Sequence, residues 1–307
     1  MKRLLTAFIV STALTMLVSG CAAIRTTADV EKYKVKAAAG DDKSVETLLG
    51  AFGSREAGIR NAAYSAVIAV GEPAVPRLLV MLNDKKPDMR EYAAGALGNI
   101  GDHRAVAPLL AKLDAETERR YVYAWALGQL RATEAIEKLI RSLAIKNDAL
   151  QKESTRALIK IAEPAVPELI FALDNAEPDV RKYAARALGI IEDKAAEGKL
   201  IKLLGDDKRE VAAAAALALG TAGTKDAVRP LINALNAPDM NTKINASIAL
   251  GQLNAKDAVD PLTDIMEKDG DPYVRQWCAR ALENITGNRY KYRDEHDAMV
   301  FPYNLYR

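Results

Sequence analysis

At 307 residues, with 50% apolar but only 6% aromatic side chains, the chain carries enough Ala, Leu, Ile and Val to build a helix-on-helix core. Its net charge of +2 comes from Lys2 and Arg3 at the extreme N-terminus, and the remainder is balanced. That balance removes the electrostatic argument for a nucleic-acid partner, which needs basic side chains in excess, and two cysteines, Cys21 and Cys278, are too few for a disulfide framework.

Residues 1–20, MKRLLTAFIVSTALTMLVSG, combine a basic start with an uncharged apolar run from Leu4 to Val18. The run is too short to span a bilayer and reads as a cleaved export signal. Val18-Ser19-Gly20-Cys21 resembles the lipobox of bacterial lipoproteins. The resemblance implies that Cys21 becomes the lipidated first residue of the mature protein, with several acyl chains giving a firm anchor. Ala22 and Ala23, with no Asp after the cysteine, further imply sorting to an outer membrane and a periplasm-facing chain. Residues 21–28 form the tether.

Residues 29–52 read as a degenerate first helix pair with Ser44 as a candidate N-cap. Thereafter one signature returns every 30 to 32 residues, its Leu at Leu97, Leu127, Leu158, Leu188, Leu219, Leu250 and Leu282, with Val67 in the same place upstream. A fixed period of this size marks a solenoid. In the clearest repeat, Pro87 opens a helix A with an apolar stripe through Ala93, Leu97 and Ile100, and Gly101-Asp102 breaks it. A helix B from Ala105 to Leu113 is expected to pack one face back on that helix. Seven residues before the signature Leu stands a basic column of Arg60, Arg90, Arg120, Arg181, Lys243 and Arg275. Acids just upstream, Asp88, Asp179 and Asp271, suggest an ion-pair ladder between repeats. Cys278 occupies a small-residue column with Ala184, Ala215 and Ala246 and reads as a core position.

The pattern D-x-V-R-x-x-A-A-x-A-L-G followed by A-V-x-P-L-L-x-x-L resembles the short HEAT-like repeats named after phycobilisome lyases. The resemblance covers residues 29–287. It implies an all-α, right-handed α-solenoid (α-α superhelix) of about eight helix pairs plus an N-terminal partial pair. It also raises a lyase-type enzyme or enzyme accessory as the alternative to a binding scaffold; the export signal and the absence of a catalytic motif favour the scaffold. His103 and His296 lie far apart, and the acids around His296 read as a solvated segment, so no metal, cofactor, catalytic residue or small-molecule substrate is expected.

Stacked helix pairs present a surface, and the B helices are expected to line its concave side. One outward column runs Val80, Ala111, Arg141, Phe171, Lys202, Asn233 and Asp264, with Arg77 and Arg229 beside it. This graded groove suits another envelope protein or an extended peptide, and Phe171 is its most conspicuous apolar contact. Ordinary solvated helix faces carry similar residues. After Ile285-Thr286-Gly287 the repeat stops, and residues 288–307 bring Tyr290, Tyr292, Phe301, Tyr303 and Tyr306. That tail reads first as a cap on the last helix and second as a docking segment.

Overall fold

A computed structural model describes residues 24–302. The export signal, Cys21, Tyr303 and Tyr306 lie outside the described residues. The chain divides after Ala135 into two compact units.

The first unit opens with α1 (Thr27–Ala38), whose N-terminus is closed by a capping box between Thr26 and Asp29. Ile24 is already buried, so the ordered domain begins before the expected boundary at residue 29. Six helices follow: α2 (Asp42–Gly50), α3 (Ala57–Val70), α4 (Val75–Met81), α5 (Pro87–Ile100), α6 (Val106–Ala115) and α7 (Arg120–Gln129). Ser44 is not the cap of α2; Asp41 holds that position, and the buried Ser44 hydroxyl donates to its carboxylate at 2.5 Å.

The second unit contains α8 (Ile136–Ser142), α9 (Asp148–Ile161), α10 (Val166–Ala172), α11 (Pro178–Ile191), α12 (Glu197–Leu203), α13 (Arg209–Ala222), α14 (Val228–Ala234), α15 (Met240–Gln252), α16 (Val259–Lys268) and α17 (Pro272–Thr286). A two-stranded antiparallel hairpin, β1 (Tyr292–Arg293) and β2 (Met299–Val300), closes it, with Tyr292 opposite Val300. Local chemistry sets these boundaries. Pro178 and Pro272 occupy the first helical positions, where a missing N–H costs nothing. Asn147, Asp239 and Asp271 cap α9, α15 and α17 through their side chains. Gly287, at φ 75°, supplies the left-handed residue that ends α17.

Long and short helices alternate, and the pairing frame differs from the expected one. From α4 onward each short helix packs on the long helix that follows it, α12 on α13 and α16 on α17, rather than back on the one before, while α2 packs on both α1 and α3. Eight short-then-long pairs result, α2/α3 through α16/α17, three in the first unit and five in the second, with α1 as the extra N-terminal element. The signature leucines are buried, as are the short-helix leucines facing them, Leu139, Leu169, Leu200, Leu231 and Leu262 in the second unit. Replacing one of these leucines with Ala removes about 2–5 kcal/mol. Among the described residues no single helix is long and apolar enough to cross a membrane.

The long helices approach to backbone contact. A Cβ built on Gly189 would meet Ala218 Cα at 2.7 Å, and one on Gly98 would meet Ala126 Cα at 2.9 Å. Gly189→Val therefore has to push α11 from α13, at a cost of about 1–3 kcal/mol. A urea melt checks this, with the midpoint expected to fall while the α-helical circular-dichroism signal of the folded state is retained.

Candidate functional site

The outward column of the short helices stands where the register put it. In the first unit Val80 is 70% exposed, and Arg77 reaches Asp42 at 3.5 Å and Glu46 at 3.1 Å, so its guanidinium is engaged within the protein. In the second unit Phe171 is 80% exposed, and Lys202, Arg229 and Asn233 are exposed as well. Arg141 pairs with Glu137 on its own helix at 2.6 Å, and Asp264 pairs with Lys268.

The side of the stack they occupy is not the expected one. In the second unit α11, α13, α15 and α17 lie along one another over most of their length, whereas successive short helices touch at few points. Lys199 of α12 bridges one such gap, its ammonium donating to the Ile170 carbonyl at 3.0 Å and pairing with Asp174 at 2.5 Å. Each repeat is thus a wedge, narrow at the long helices. The column of Arg141, Phe171, Lys202, Asn233 and Asp264 stands on the wide side of these wedges, and the concave side falls to the long helices. On that inner row Ile190 and Leu217 are exposed by 62% and 42%. Sequence reading passed over them because it assigned the long helices to packing.

The basic column does form a ladder, but with different partners. Arg181 donates to the carbonyls of Asn175 and Ala176 at 2.8 and 3.1 Å, and forks onto both oxygens of Asp206 at 2.8 Å. Arg90 likewise binds the Asp84 carbonyl at 2.9 Å and Glu116 at 2.9 Å. Arg90 and Arg181 therefore satisfy carbonyls left open beyond a short helix and tie their repeats to the turn of the next, whereas Arg60 and Arg120 reach carbonyls and Lys243 reaches the acid Asp269. Gln151, which interrupts the basic column, keeps the same role with an amide, donating to the Leu143 carbonyl at 2.9 Å. Of the acids expected to pair with the column, Asp179 binds Lys182, Asp88 binds Arg119, and Asp271 caps α17.

Four segments of the sequence, residues 46–122, 107–189, 166–239 and 228–291, match the family of HEAT repeats. The chain is a HEAT-repeat protein. Among solved structures, the Kap95:Nup1 complex superimposes with a TM-score of 0.59 at 12% identity, covering 89% of this chain and 46% of that one. Importin beta gives 0.59 at 13% identity, covering 84% and 44%. These likenesses establish the solenoid fold. The complex of CpcE and CpcF of phycocyanin lyase from Nostoc sp. PCC7120 is 24% identical, with a TM-score of 0.46, over 48% of this chain and 98% of that chain. No curated protein sequence matches the chain.

The HEAT array ends on its hairpin. Tyr292 is buried against α17, and Arg275 donates to the carbonyls of Arg293 and Asp294 at 2.8 and 3.3 Å, so the last rung of the ladder holds the cap in place. Tyr292 is consequently a packing residue and not a docking one. Tyr290 is half-buried, and Phe301, 40% exposed, lies under Arg289 and Lys291 at 4.3 and 5.2 Å. In the first unit Phe52, Tyr64 and Tyr92 form a tilted ring cluster with centroids 5.1 to 6.0 Å apart. A shallow cleft at the start of α5 and α7, about 220 Å³ including open solvent, has walls of paired charges: Arg119 holds Glu91 at 2.6 Å, and Arg90 holds Glu116.

Cys278 is fully buried beside the Ser247 hydroxyl at 3.2 Å, and burial pushes its thiol up to about 12, which suits an inert core residue. His296 is exposed, and among the described residues no three His, Cys, Asp or Glu side chains converge as a metal set. Asp269, the ladder acid facing Lys243 at 2.6 Å, is different. Burial pushes its carboxyl up, but hydrogen bonds from Lys243 and from the Asp271 N–H outweigh that and hold it below the usual 3.8. A lowered folded pKa contributes stability that is present above the unfolded value and is lost as pH falls through the folded one. Urea midpoints measured from pH 5 to about pH 3 are therefore expected to drop more steeply for the natural protein than for Asp269→Asn.

Proposed function

We propose that this HEAT-repeat protein is a protein-binding scaffold, held by lipid on Cys21 to the periplasmic face of an outer membrane. The observation that carries the binding role is the single-residue variation on a regular frame. Every repeat of the second unit buries the same leucines, yet the solvent-facing positions of its successive short helices read Arg141, Phe171, Lys202, Asn233 and Asp264. A rigid array of this kind presents side chains at fixed spacing and avoids the entropy of ordering a loop. Phe171 supplies apolar area at a point where burying it within the chain would serve no packing purpose. The partner fitting these positions is another envelope protein or an extended peptide.

The address rests on the sequence alone. The apolar run of residues 4–18 ends three residues before Cys21, the place an acylation site takes. With the cysteine acylated the array is confined to one membrane surface, which raises its effective concentration toward partners in the same layer.

Two measurements test the two halves of this reading. Cys21→Ser is expected to abolish incorporation of labelled fatty acid and to shift the protein from the membrane fraction to the soluble one; an unchanged distribution refutes the anchor. Crosslinking in intact cells, with the captured protein identified, is expected to give a reproducible partner whose recovery falls about tenfold in a variant combining Phe171→Ala, Arg141→Glu and Lys202→Glu. Equal recovery from that variant removes the short-helix column from the interface. A reproducible spectral change on adding a bilin to the purified protein would instead favour a lyase-type role.

A further inference from the structure

The folded part of the first unit begins close behind the cysteine that carries the proposed lipid. Ile24 is 4% exposed, and the Arg25 and Thr26 backbone N–H groups donate to the Asp29 carboxylate at 3.0 and 2.9 Å, so the chain is fixed to α1 from there onward. Ala22 and Ala23 alone separate Cys21 from Ile24. Whatever their conformation, the step from Cys21 to Ile24 spans at most about 10 Å. That is about the width of one helix.

The helix so tethered is the terminal element of its unit. α1 packs on α2 and α3 and buries Val30 and Ala37. Helical spacing puts Ala28, Lys32, Val35 and the C-capping Ala39 on the opposite side, and all four are exposed, Val35 by 67%. The end of a repeat array ordinarily needs a polar outer face to stay soluble. This one sets small and apolar side chains around one lysine, with the exposed Lys36 at its edge. Net charge does not account for the face, because Lys32 lies near Asp29, Lys36 near Asp41, and Lys34 pairs with Glu31 at 2.8 Å.

We propose that the short tether seats the outward face of α1 on the headgroup layer of the membrane that holds the acylated Cys21. Acyl chains on Cys21 keep that residue at the boundary of hydrocarbon and headgroups, a polar layer about 5–8 Å deep on each side of a bilayer. With Ile24 held within about 10 Å of this boundary, the start of α1 lies at headgroup depth. The side packed on α2 and α3 is not free to turn to the lipid, and the exposed Val35 selects the side that does. Ala28, Val35 and Ala39 then meet the apolar edge of the layer, while the Lys32 and Lys36 ammonium groups extend to its phosphates. The seat covers the one end of the first unit that has no further repeat to pack on it. It rests on the acylation of Cys21 and does not depend on which face of the array binds protein.

The test uses the full mature chain, its acylation verified by mass, in vesicles of phosphatidylethanolamine and phosphatidylglycerol. Val35→Cys on α1 and Ala111→Cys on the exposed side of α6 each take an environment-sensitive fluorophore, the buried Cys278 thiol being inert to the reagent. Lipid bearing a headgroup nitroxide is expected to quench the label at position 35 at least about threefold more than the label at position 111. High salt is expected to leave that difference unchanged, since the tether and not charge attraction holds the seat. Inserting about twenty Gly and Ser residues between Ala23 and Ile24, a linker with a root-mean-square length of about 25 Å, is expected to bring the first value down toward the second while vesicle binding is retained. Equal quenching at the two positions, loss of the difference in salt, or full quenching with the linker in place would overturn the seat and leave the anchor standing. A mature chain without acyl groups on Cys21 would overturn both.

Discussion

Backbone contact between successive long helices is the constraint on which the rest of the structure depends. With Gly189 against Ala218 and Gly220 against Ala249, even a methyl group on the glycine would meet the facing Cα at 2.7 and 3.0 Å. Close approach is stabilising only because many small dispersion contacts accumulate along the helices, so it has to be sustained over several turns. The buried run from Val211 to Ala216 on α13 does this with five alanines in succession. Such a surface has little shape of its own to fix the sliding of one helix past another. Leu188, Leu219 and Leu250, all fully buried, supply that register.

Tight packing of one row creates a problem at the turns, and the ladder resolves it. Short helices of seven residues leave as many open carbonyls as internal hydrogen bonds. Water could satisfy these groups if they were exposed. The turns lie against the next repeat instead, so a long side chain has to reach them from within. Arginine does so at positions 90, 181 and 275, each using one edge for carbonyls and, in the first two, the other for an acid in the next turn. At 12% and 6% side-chain exposure the Arg181–Asp206 pair is well desolvated, and removing one partner from such a pair costs about 3–5 kcal/mol. Its value lies in the carbonyls as much as in the charge, which is why Gln151 can hold the same place without one.

Much of this was legible in the sequence, and the parts that were not share a cause. The period, the buried leucines, the core position of Cys278 and the outward direction of Phe171 all follow from counting residues along a helix. Phase does not. A repeat of alternating long and short helices reads equally well cut before either one, and only the packing of α12 on α13 rather than on α11 decides between them. The same holds for the ladder. Asp179 stands two residues from Arg181 in sequence, yet helical geometry turns it toward Lys182 and Gln151, while Asp206, 25 residues away, comes into reach through the superposition of turns. Which row is narrow also depends on distance between helices, and a sequence reports the order of residues without their spacing.

Once the narrow row is known to be the long helices, their solvent-facing positions take on a different weight. On the wide side, Arg141, Phe171 and Lys202 project from helices that barely touch, so each acts as a separate contact. On the narrow side Arg186 and Leu217 stand on α11 and α13, which lie along one another, so neighbouring repeats form one continuous surface. A partner on the wide side therefore has to be matched residue by residue, whereas one on the narrow side meets several repeats at once. The two faces suit different stages of one encounter, or different partners, and the rigid stack lets each vary without disturbing the other.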